Sequence, residues 1–357
     1  MSAFIVIPTC ILFLISVTNF FALKKPVNDA TISDFISVIV PLRNEAHNIE
    51  ALIASLAAQT GLEHVEFILL DDNSEDESLK LITATIAAHP NFRVLTGAPL
   101  PAEWLGKTWA MQQLLAASAG EILVSIDADV RITPDAISKS ITLMKSTNLD
   151  FLSPYPRQLA TTWGERLIQP LLQWSWMSTL PLRIAQSSSR PSMAVANGQF
   201  FIVKRSALIA AGGYESVKVA VLDDLFLARE LIKVGSHGIV VNGASIAQCR
   251  MYASWHEIES GYGKSLRSAF GSRLGSLSAV AIIFLTGVAP IVFGFMGSAW
   301  GWIGYVLIVI TRTLSAIRSR ARIVDSLLHP ISSALLIYLI FYAYVMRGKI
   351  QWKGRTV

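Results

Sequence analysis

Two hydrophobic patterns share this chain. At its ends apolar residues run on almost without polar interruption. Between the ends, short β-branched runs alternate with stripes of helical period. ISVIVPLRNE (36–45), closed by Pro41, Asn44 and Glu45, predicts a buried strand. Ile49, Leu52, Ile53 and Leu56 then follow at the spacing of one helix face. VEFILLDDNSEDES (65–78) predicts a second buried strand ending in acids and turn formers, with Ser74 and Glu77 at capping-box spacing for the helix SLKLITATIAAH. RVLTG reads as a short third strand, TWAMQQLLAASAG as a helix stopped by Gly120, and EILVSIDAD as a fourth strand. Strands alternating with helices imply an α/β domain whose mainly parallel sheet is covered on both faces. No internal repeat or low-complexity stretch interrupts it.

The terminal runs change the class. Residues 3–23 are uncharged and long enough to span a bilayer. They lack a basic leader and a small-residue cleavage site, so they read as an anchor, and Lys24 and Lys25 place its far end in the cytoplasm. Residues 279–310 are too long for one span and break around Pro290 and Gly297–Gly301, which predicts two spans or one span plus a re-entrant piece; another span runs from Leu327 to Met346. The basic clusters Arg312–Arg322 and Arg347–Arg355 both favour the cytoplasm, which one complete span between them forbids. Of the 357 residues 52% are hydrophobic and 15% charged, well below the charge content of an ordinary soluble enzyme. After Glu259 a single acid, Asp325, faces eleven Lys and Arg, which suits an anionic membrane surface. These basic groups bracket apolar spans, so a sequence pI of 9.2 does not point to nucleic acid. Cys10 and Cys249 form no disulfide framework and read as small apolar residues, and the six histidines, without ligand spacing, as surface or packing residues.

The chemistry gathers at strand ends. Pro41–Glu45, Asp71–Ser74 and Asp127-Ala-Asp129 all fall at carboxyl ends of predicted strands, where ligands of α/β sheets sit. On a continuing strand Asp127 and Asp129 leave one face, and two such carboxylates repel unless a cation or sugar hydroxyls lie between them. Mg²⁺ or Mn²⁺ with a nucleotide diphosphate would complete such a site. Alone the motif is weak, because a chain this long carries about one DxD by chance at ordinary acid content; the neighbouring clusters give it weight. Asp72 can accept the imide N–H of uracil. Lys107, before a helix, can meet phosphate with that helix's N-terminus behind it. Asp223 and Asp224 open an amphipathic helix, where acids ordinarily cap and one can serve as a general base. There is no GxGxxG, and Pro101 stands where a P-loop needs glycine, so dinucleotide and NTPase readings fail.

At this point the chain resembles the membrane-bound family-2 glycosyltransferases over about residues 36–275. SVIVPLRNE, LLDDNSEDES, GKTWAMQQLLAASAGEILVSIDADV, NGQFFIVKRSALIAAGGY and LDDLFLARELIKVG match the family's motifs in order. PAEWLGKTWAMQQL, TTWGERLIQPLLQW and CRMYASWHEIESGYGKS most resemble the bacterial carotenoid (chlorobactene-type) branch and are similar to the hopanoid-associated one. The resemblance implies a GT-A fold and an inverting transfer of one hexose from a UDP-glucose-like donor to a membrane lipid hydroxyl. It puts the nucleobase on Pro41, Glu45 and Asp72, phosphates near Lys107, ribose and metal on Asp127 and Asp129, and the base at Asp224 beside a positioning Asp223. Asp223 departs from the Glu of many relatives. The Gln-x-x-Arg-Trp motif of processive synthases is absent; Gln248, Arg250 and Trp255 have the wrong spacing.

The expected organisation is an anchor at 1–25, a cytoplasmic catalytic domain at 26–250, an amphipathic interface segment at 251–276 and a transmembrane region at 277–357, with the protein multi-pass in the inner membrane. Trp163, Trp174 and Trp176, with breaks at Pro170 and Pro181, suggest short interfacial helices beside a lipid-admitting cleft lined by Asn197 and Gln199. Two alternatives stand beside this reading. A polyprenyl-phosphate transferase would need a basic pocket such as Arg157 and Arg183, and a silent scaffold would have no need of four rim carboxylates.

Overall fold

The structure is a computed structural model and describes residues 6–346, 351–352 and 355–356. The first residues of the expected anchor and most of the Arg347–Arg355 cluster lie outside the described residues. The chain forms two compact units, one of residues 24–157 and 185–249, the other of residues 1–23, 158–184 and 250–357. Residues 158–184 and Arg250, read from the sequence as part of the 26–250 domain, group with the apolar helices.

The first of these units is built on a seven-stranded sheet. Its strands are β1 (Ile32–Leu42), β2 (Leu62–Asp71), β3 (Phe92–Thr96), β4 (Ile122–Ile126), β6 (Phe151–Tyr155), β8 (Phe200–Lys204) and β9 (Gly238–Asn242), in the order β3-β2-β1-β4-β8-β6-β9. Small strands β5 (Val130–Ile132), β7 (Arg157–Gln158) and β10 (Ala247–Cys249) lie outside it, β5 pairing antiparallel with β10. Pairs β1–β2, β1–β4, β2–β3 and β6–β9 are parallel, and only β8 runs against its neighbours. The β-branched runs become continuous buried strands, as a sheet covered on both faces requires. Ile49, Leu52, Ile53 and Leu56 are all fully buried on their helix.

One expected cap is corrected. The helix Ser78–Ile86 starts without a side-chain bond from its N-cap residue Glu77. Asp76 instead accepts from Ser78 N at 3.0 Å, and Ser74 Oγ accepts from Asn44 N at 2.9 Å. Long-range bonds between two strand-end loops outcompeted the local box.

The register of β1 against β4 depends on Gly120, whose N–H donates to Ser37 Oγ at 2.7 Å. Glu66 Oε1 accepts from Ser37 Oγ (2.6 Å) and Ala119 N (2.8 Å), so one hydrogen-bond network joins β1, β2 and the turn into β4.

The other unit is helical. Three helices are long and apolar enough to cross a membrane: Arg273–Phe295, Ala299–Ser319 and Ile323–Val345; Val6–Ala22 is a shorter apolar helix. The sequence break near Gly297 is real, and the segment before it divides nothing: Pro290 sits one residue into the helical turn that follows a π-turn at Phe284–Val288. Arg312, grouped by sequence with the basic cluster Arg312–Arg322, lies within the helix Ala299–Ser319 and is buried. Pro170 does not break its helix either: Trp163–Thr179 is continuous and opens with a full capping box of Thr162 and Glu165. Arg250 Nε binds the same Glu165 at 2.9 Å.

A Cβ at Gly120 would lie 2.4 Å from Ser37 N and 2.7 Å from the Ile36 carbonyl carbon. Gly120→Ala is therefore expected to cost roughly 1–3 kcal/mol through backbone displacement. A thermal melt in detergent checks it, and an unchanged Tm refutes the close approach.

Candidate active site

At the carboxyl end of the sheet, chain reversals hold the polar residues in place. β1 ends at Leu42 and β2 at Asp71, and Asn44 and Asn73 both take left-handed φ (52° and 54°) to turn sharply out of the sheet. The two loops are tied reciprocally. Arg43 Nη1 donates to the Asp72 and Asn73 carbonyls at 2.7 and 2.8 Å, Asn44 N donates to Ser74 Oγ, and Glu75 N donates to Asn44 Oδ1 at 2.8 Å. Asp72 N donates to the Leu42 carbonyl at 2.7 Å. Pro41 lies beyond the last β1–β4 pair, near a strand end where a missing N–H is tolerated. Glu45 is 8% exposed and accepts from Asn48 Nδ2 at 2.8 Å; Asn48 Oδ1 in turn accepts from Arg131 at 2.7 Å.

Beyond β4 the sequence expectation needs correction. The strand stops at Ile126, and Asp127-Ala-Asp129 forms a turn, with Val130 N donating to the Asp127 carbonyl at 3.1 Å. The i, i+2 alternation therefore does not govern these side chains. Asp127 meets Lys107 Nζ at 2.8 Å (Oδ1) and 3.1 Å (Oδ2). Asp129 faces the Cys249 thiol and the Arg131 guanidinium.

Lys107 stands in the first turn of the helix Gly106–Ala117, whose start is anchored by Leu105 N and Thr108 Oγ1, both donating to the Lys218 carbonyl. Its Nζ is also 4.0 Å from Asp223 Oδ2. Asp224 Oδ2 accepts from Gly198 N at 2.6 Å, and a Cβ on Gly198 would lie 3.2 Å from Asp224 Cβ and 3.4 Å from Lys107 Nζ. Glycine lets the backbone amide reach the carboxylate. Four predicted residues, Lys107, Asp127, Asp223 and Asp224, thus form one cluster around one ammonium. Pro41, Glu45 and Asp72 lie on the β1 and β2 loops, and Asp129 joins the cluster's side through Cys249 and Arg131.

The electrostatics follow from that crowding. Burial and the adjacent Asp223 push the Asp224 carboxyl up to about 6, against the pull of Lys107 and of the Leu225 and Gly198 amides. Burial works against the Lys107 charge, yet Asp127 and Asp223 hold its pKa above the ordinary lysine value. Burial raises the phenols of Tyr155, bonded to Asn197 and near Asp224, and of Tyr214, near Asp223.

Some site residues were missed by the sequence reading. Cys249 is buried and its Sγ accepts from Gln199 Nε2 at 3.1 Å, so it is part of the site wall and not merely a small apolar residue. Burial and Asp129 keep its thiol protonated. Gln199 and Asn197, expected to line a cleft, are 4% and 9% exposed and brace β8. No local pattern announces Tyr155, Tyr214 or Arg131, which reach the site from three separate elements.

Residues 37–212 match Glycosyl transferase family 2. The chain carries a family 2 glycosyltransferase domain. Among curated relatives, the 4,4'-diaponeurosporenoate glycosyltransferase of Staphylococcus haemolyticus is 24% identical over 74% of this chain and 69% of its own length. The beta-monoglucosyldiacylglycerol synthase of Trichormus variabilis is 26% identical over 55% of this chain and 41% of its own. The undecaprenyl-phosphate 4-deoxy-4-formamido-L-arabinose transferase of Shewanella sediminis is 32% identical over 29% of this chain, so the chain spans less than half of these last two. Among solved structures, the mannosyltransferase PcManGT of Pyrobaculum calidifontis, in complex with GDP-Man and Mn²⁺, aligns over 97% of this chain and 98% of its own at TM-score 0.59 and 18% identity. The glycosyltransferase domain therefore has the expected GT-A fold with its mainly parallel sheet.

In Lys107→Met, loss of the cation that lowers Asp224 is expected to move that carboxyl's titration above about 6. Carboxyl ¹³C NMR reads the shift; an unmoved midpoint refutes the coupling.

Proposed function

We propose that this protein is an inverting, non-processive glycosyltransferase that moves one hexose from a UDP-glucose-like donor to a hydroxyl of a membrane lipid. The observation that carries the reading is the Lys107–Asp127–Asp223–Asp224 cluster at the carboxyl edge of a family 2 domain. A carboxyl near pKa 6, half-buried and fixed by two amides, suits a general base at neutral pH. Asp224 takes the proton of the acceptor hydroxyl as that oxygen attacks the anomeric carbon opposite the leaving diphosphate, so the linkage inverts. Asp223 helps hold Lys107 and keeps Asp224 basic. Lys107 and the N-terminus of its helix receive phosphate charge. Asp72 and Glu45, on the tied β1 and β2 loops, hold the nucleobase with Pro41.

Among the described residues no three His, Cys, Asp or Glu side chains gather into a metal site by themselves. Asp127 and Asp129 fit a hard divalent ion all the same: they offer two carboxylates, the usual protein share where diphosphate and water complete the shell. Bound there, Mg²⁺ or Mn²⁺ supplies Lewis acidity to the leaving diphosphate. The relative PcManGT, solved with GDP-Man and Mn²⁺, is consistent with this cofactor.

Names of relatives that refer to diaponeurosporenoate and to a glucosyldiacylglycerol favour a lipid acceptor of the carotenoid or glycolipid kind over a polyprenyl phosphate, whose relative aligns over a short stretch. Helices of spanning length support a multi-pass protein of the inner membrane with the sugar-transfer domain on the cytoplasmic side. Labelling membranes with UDP-[¹⁴C]glucose and identifying the labelled lipid tests the whole reading; absence of lipid label with every UDP-sugar rejects it.

Asp224→Asn is expected to abolish transfer while nucleotide affinity stays nearly unchanged. In the wild type, kcat/KM should fall on acidification with a midpoint near about 6, and Asp223→Asn should move that midpoint lower, since the Asp223 charge raises Asp224. A pH-independent rate between 5 and 7, taken as roughly one unit either side of the midpoint, counts against Asp224 as the base. Asp129→Ala is expected to remove the Mn²⁺-dependent part of UDP binding; calorimetry showing equal affinity with and without Mn²⁺ in the wild type refutes the role.

A further inference from the structure

Among its described residues the helical unit buries a charge that no free carboxylate balances. Arg312, in the apolar helix Ala299–Ser319, is 2% exposed, and neither Nη1 nor Nη2 has a hydrogen-bond partner among the described residues. His329 begins the last helix, is fully buried, and has both ring nitrogens unpartnered. Gln169 Nε2 and Ser332 Oγ, also fully enclosed, lack partners too. These groups lie together. His329 is within electrostatic reach of Arg312 and packs edge-on against Trp174, whose Nε1 donates to Thr311 Oγ1 at 2.8 Å. Tyr262, which donates to Gln169 at 3.3 Å, also faces Arg312.

The acid within reach of Arg312 is Asp325, and it is already engaged. Arg166 binds it through Nε at 2.9 Å and through Nη2 to its other oxygen. Two arginines therefore share one carboxylate, leaving one positive charge without a counter-ion inside apolar surroundings. A buried unpaired guanidinium is strongly unfavourable, and in membrane segments such a group marks a site where something else supplies the charge. The unpartnered protein atoms are mostly donors: two guanidinium nitrogens, an amide and a hydroxyl. The missing ligand is an acceptor-rich anion, and a phosphate matches the guanidinium fork.

Its position selects the source. Arg312 lies about 10 Å along the axis from the end of its helix at Ser319. Arg318, Arg320 and Arg322 crowd that end, and Arg318 donates to the Leu23 carbonyl at the end of Val6–Ala22, just before Lys24. A basic end is the cytoplasmic one, which sets Arg312 nearer the cytoplasmic headgroups than the centre of a hydrocarbon core about 30 Å thick. His329 is closely packed: Ser333 is one turn on, and a Cβ on Gly287, in the π-turn, would lie 2.1 Å from Ser333 Oγ and 3.5 Å from His329 Nε2, so a headgroup entering beside Arg312 must shift these side chains.

We propose that Arg312, with His329, Gln169 and Ser332, binds the phosphate of a phospholipid from the cytoplasmic leaflet as an intramembrane counter-ion. The site is separate from the donor chemistry and does not depend on which sugar is moved. The test uses the full chain, delipidated in a neutral detergent, with native mass spectrometry and thermal unfolding as readouts. Phosphatidylglycerol should bind and raise the wild-type Tm, while diacylglycerol, which has no phosphate, should not. Arg312→Gln should weaken phosphatidylglycerol binding by about tenfold or more, and Arg312→Lys, which keeps the charge but loses the fork, should recover only part of it. His329→Gln should lower binding by about threefold, and it serves if Arg312→Gln does not fold. Equal binding by wild type and Arg312→Gln, or equal stabilisation by diacylglycerol, overturns the site. Stabilisation by inorganic phosphate alone that matches phosphatidylglycerol would assign the anion to solution and overturn the lipid.

Discussion

The ammonium of Lys107 among three carboxylates is the constraint around which the catalytic unit is arranged. Its contacts to Asp127 at 2.8 Å and Asp223 at 4.0 Å bring the turn after β4 to the start of the helix Asp223–Lys233, segments almost a hundred residues apart. Without a cation those acids would repel at close range in a partly buried site. With it, one of them, Asp224, is still crowded enough to hold its proton up to about 6. The same crowding that costs stability thus raises the Asp224 carboxyl toward neutrality, as the base proposed for it requires.

The scaffold around that cluster is rigid for identifiable reasons. Glu66, Ser37 and Gly120 lock the starts of three segments together, and Arg43 with Asn44 and Ser74 locks their ends. Left-handed turns at Asn44 and Asn73 direct the chain out of the sheet exactly where polar side chains gather, and Gly198 lets a backbone amide approach Asp224. The side chains proposed to bind the donor therefore sit on short loops tied to each other by hydrogen bonds, so little ordering remains for the moment of binding.

The helical unit solves a different problem. Its apolar surfaces need no partner in lipid, but its buried polar groups do. Trp174, Thr311, Tyr262 and Gln169 satisfy part of that need among themselves, and Arg166 with Asp325 another part. The remainder, centred on Arg312, distinguishes this bundle from one held by packing alone.

Much of the fold was legible in the chain itself. Continuous β-branched runs determined buried parallel strands, and the i, i+3, i+4 stripe of Ile49, Leu52, Ile53 and Leu56 determined a covering helix, because backbone period and burial are local properties. The carboxyl-end placement of Asp72 and Asp127 followed from the strand–helix alternation, whereas Asp223 and Asp224 were legible only as the start of a helix. The Ser74–Glu77 box, the shared face of Asp127 and Asp129 and the breaking role of Pro170 did not survive. For the first, bonds from the distant β1 loop took Ser74; for the second, the strand ended at Ile126 and a local turn followed. Thr162 and Glu165 did carry a capping-box spacing that could be read. Tertiary structure alone decided that Lys107 sits among three acids, that Tyr155, Tyr214 and Cys249 wall the site, and that Arg312 and His329 are buried together. Those outcomes depend on which side chains share low-dielectric space, and sequence order does not encode that distance.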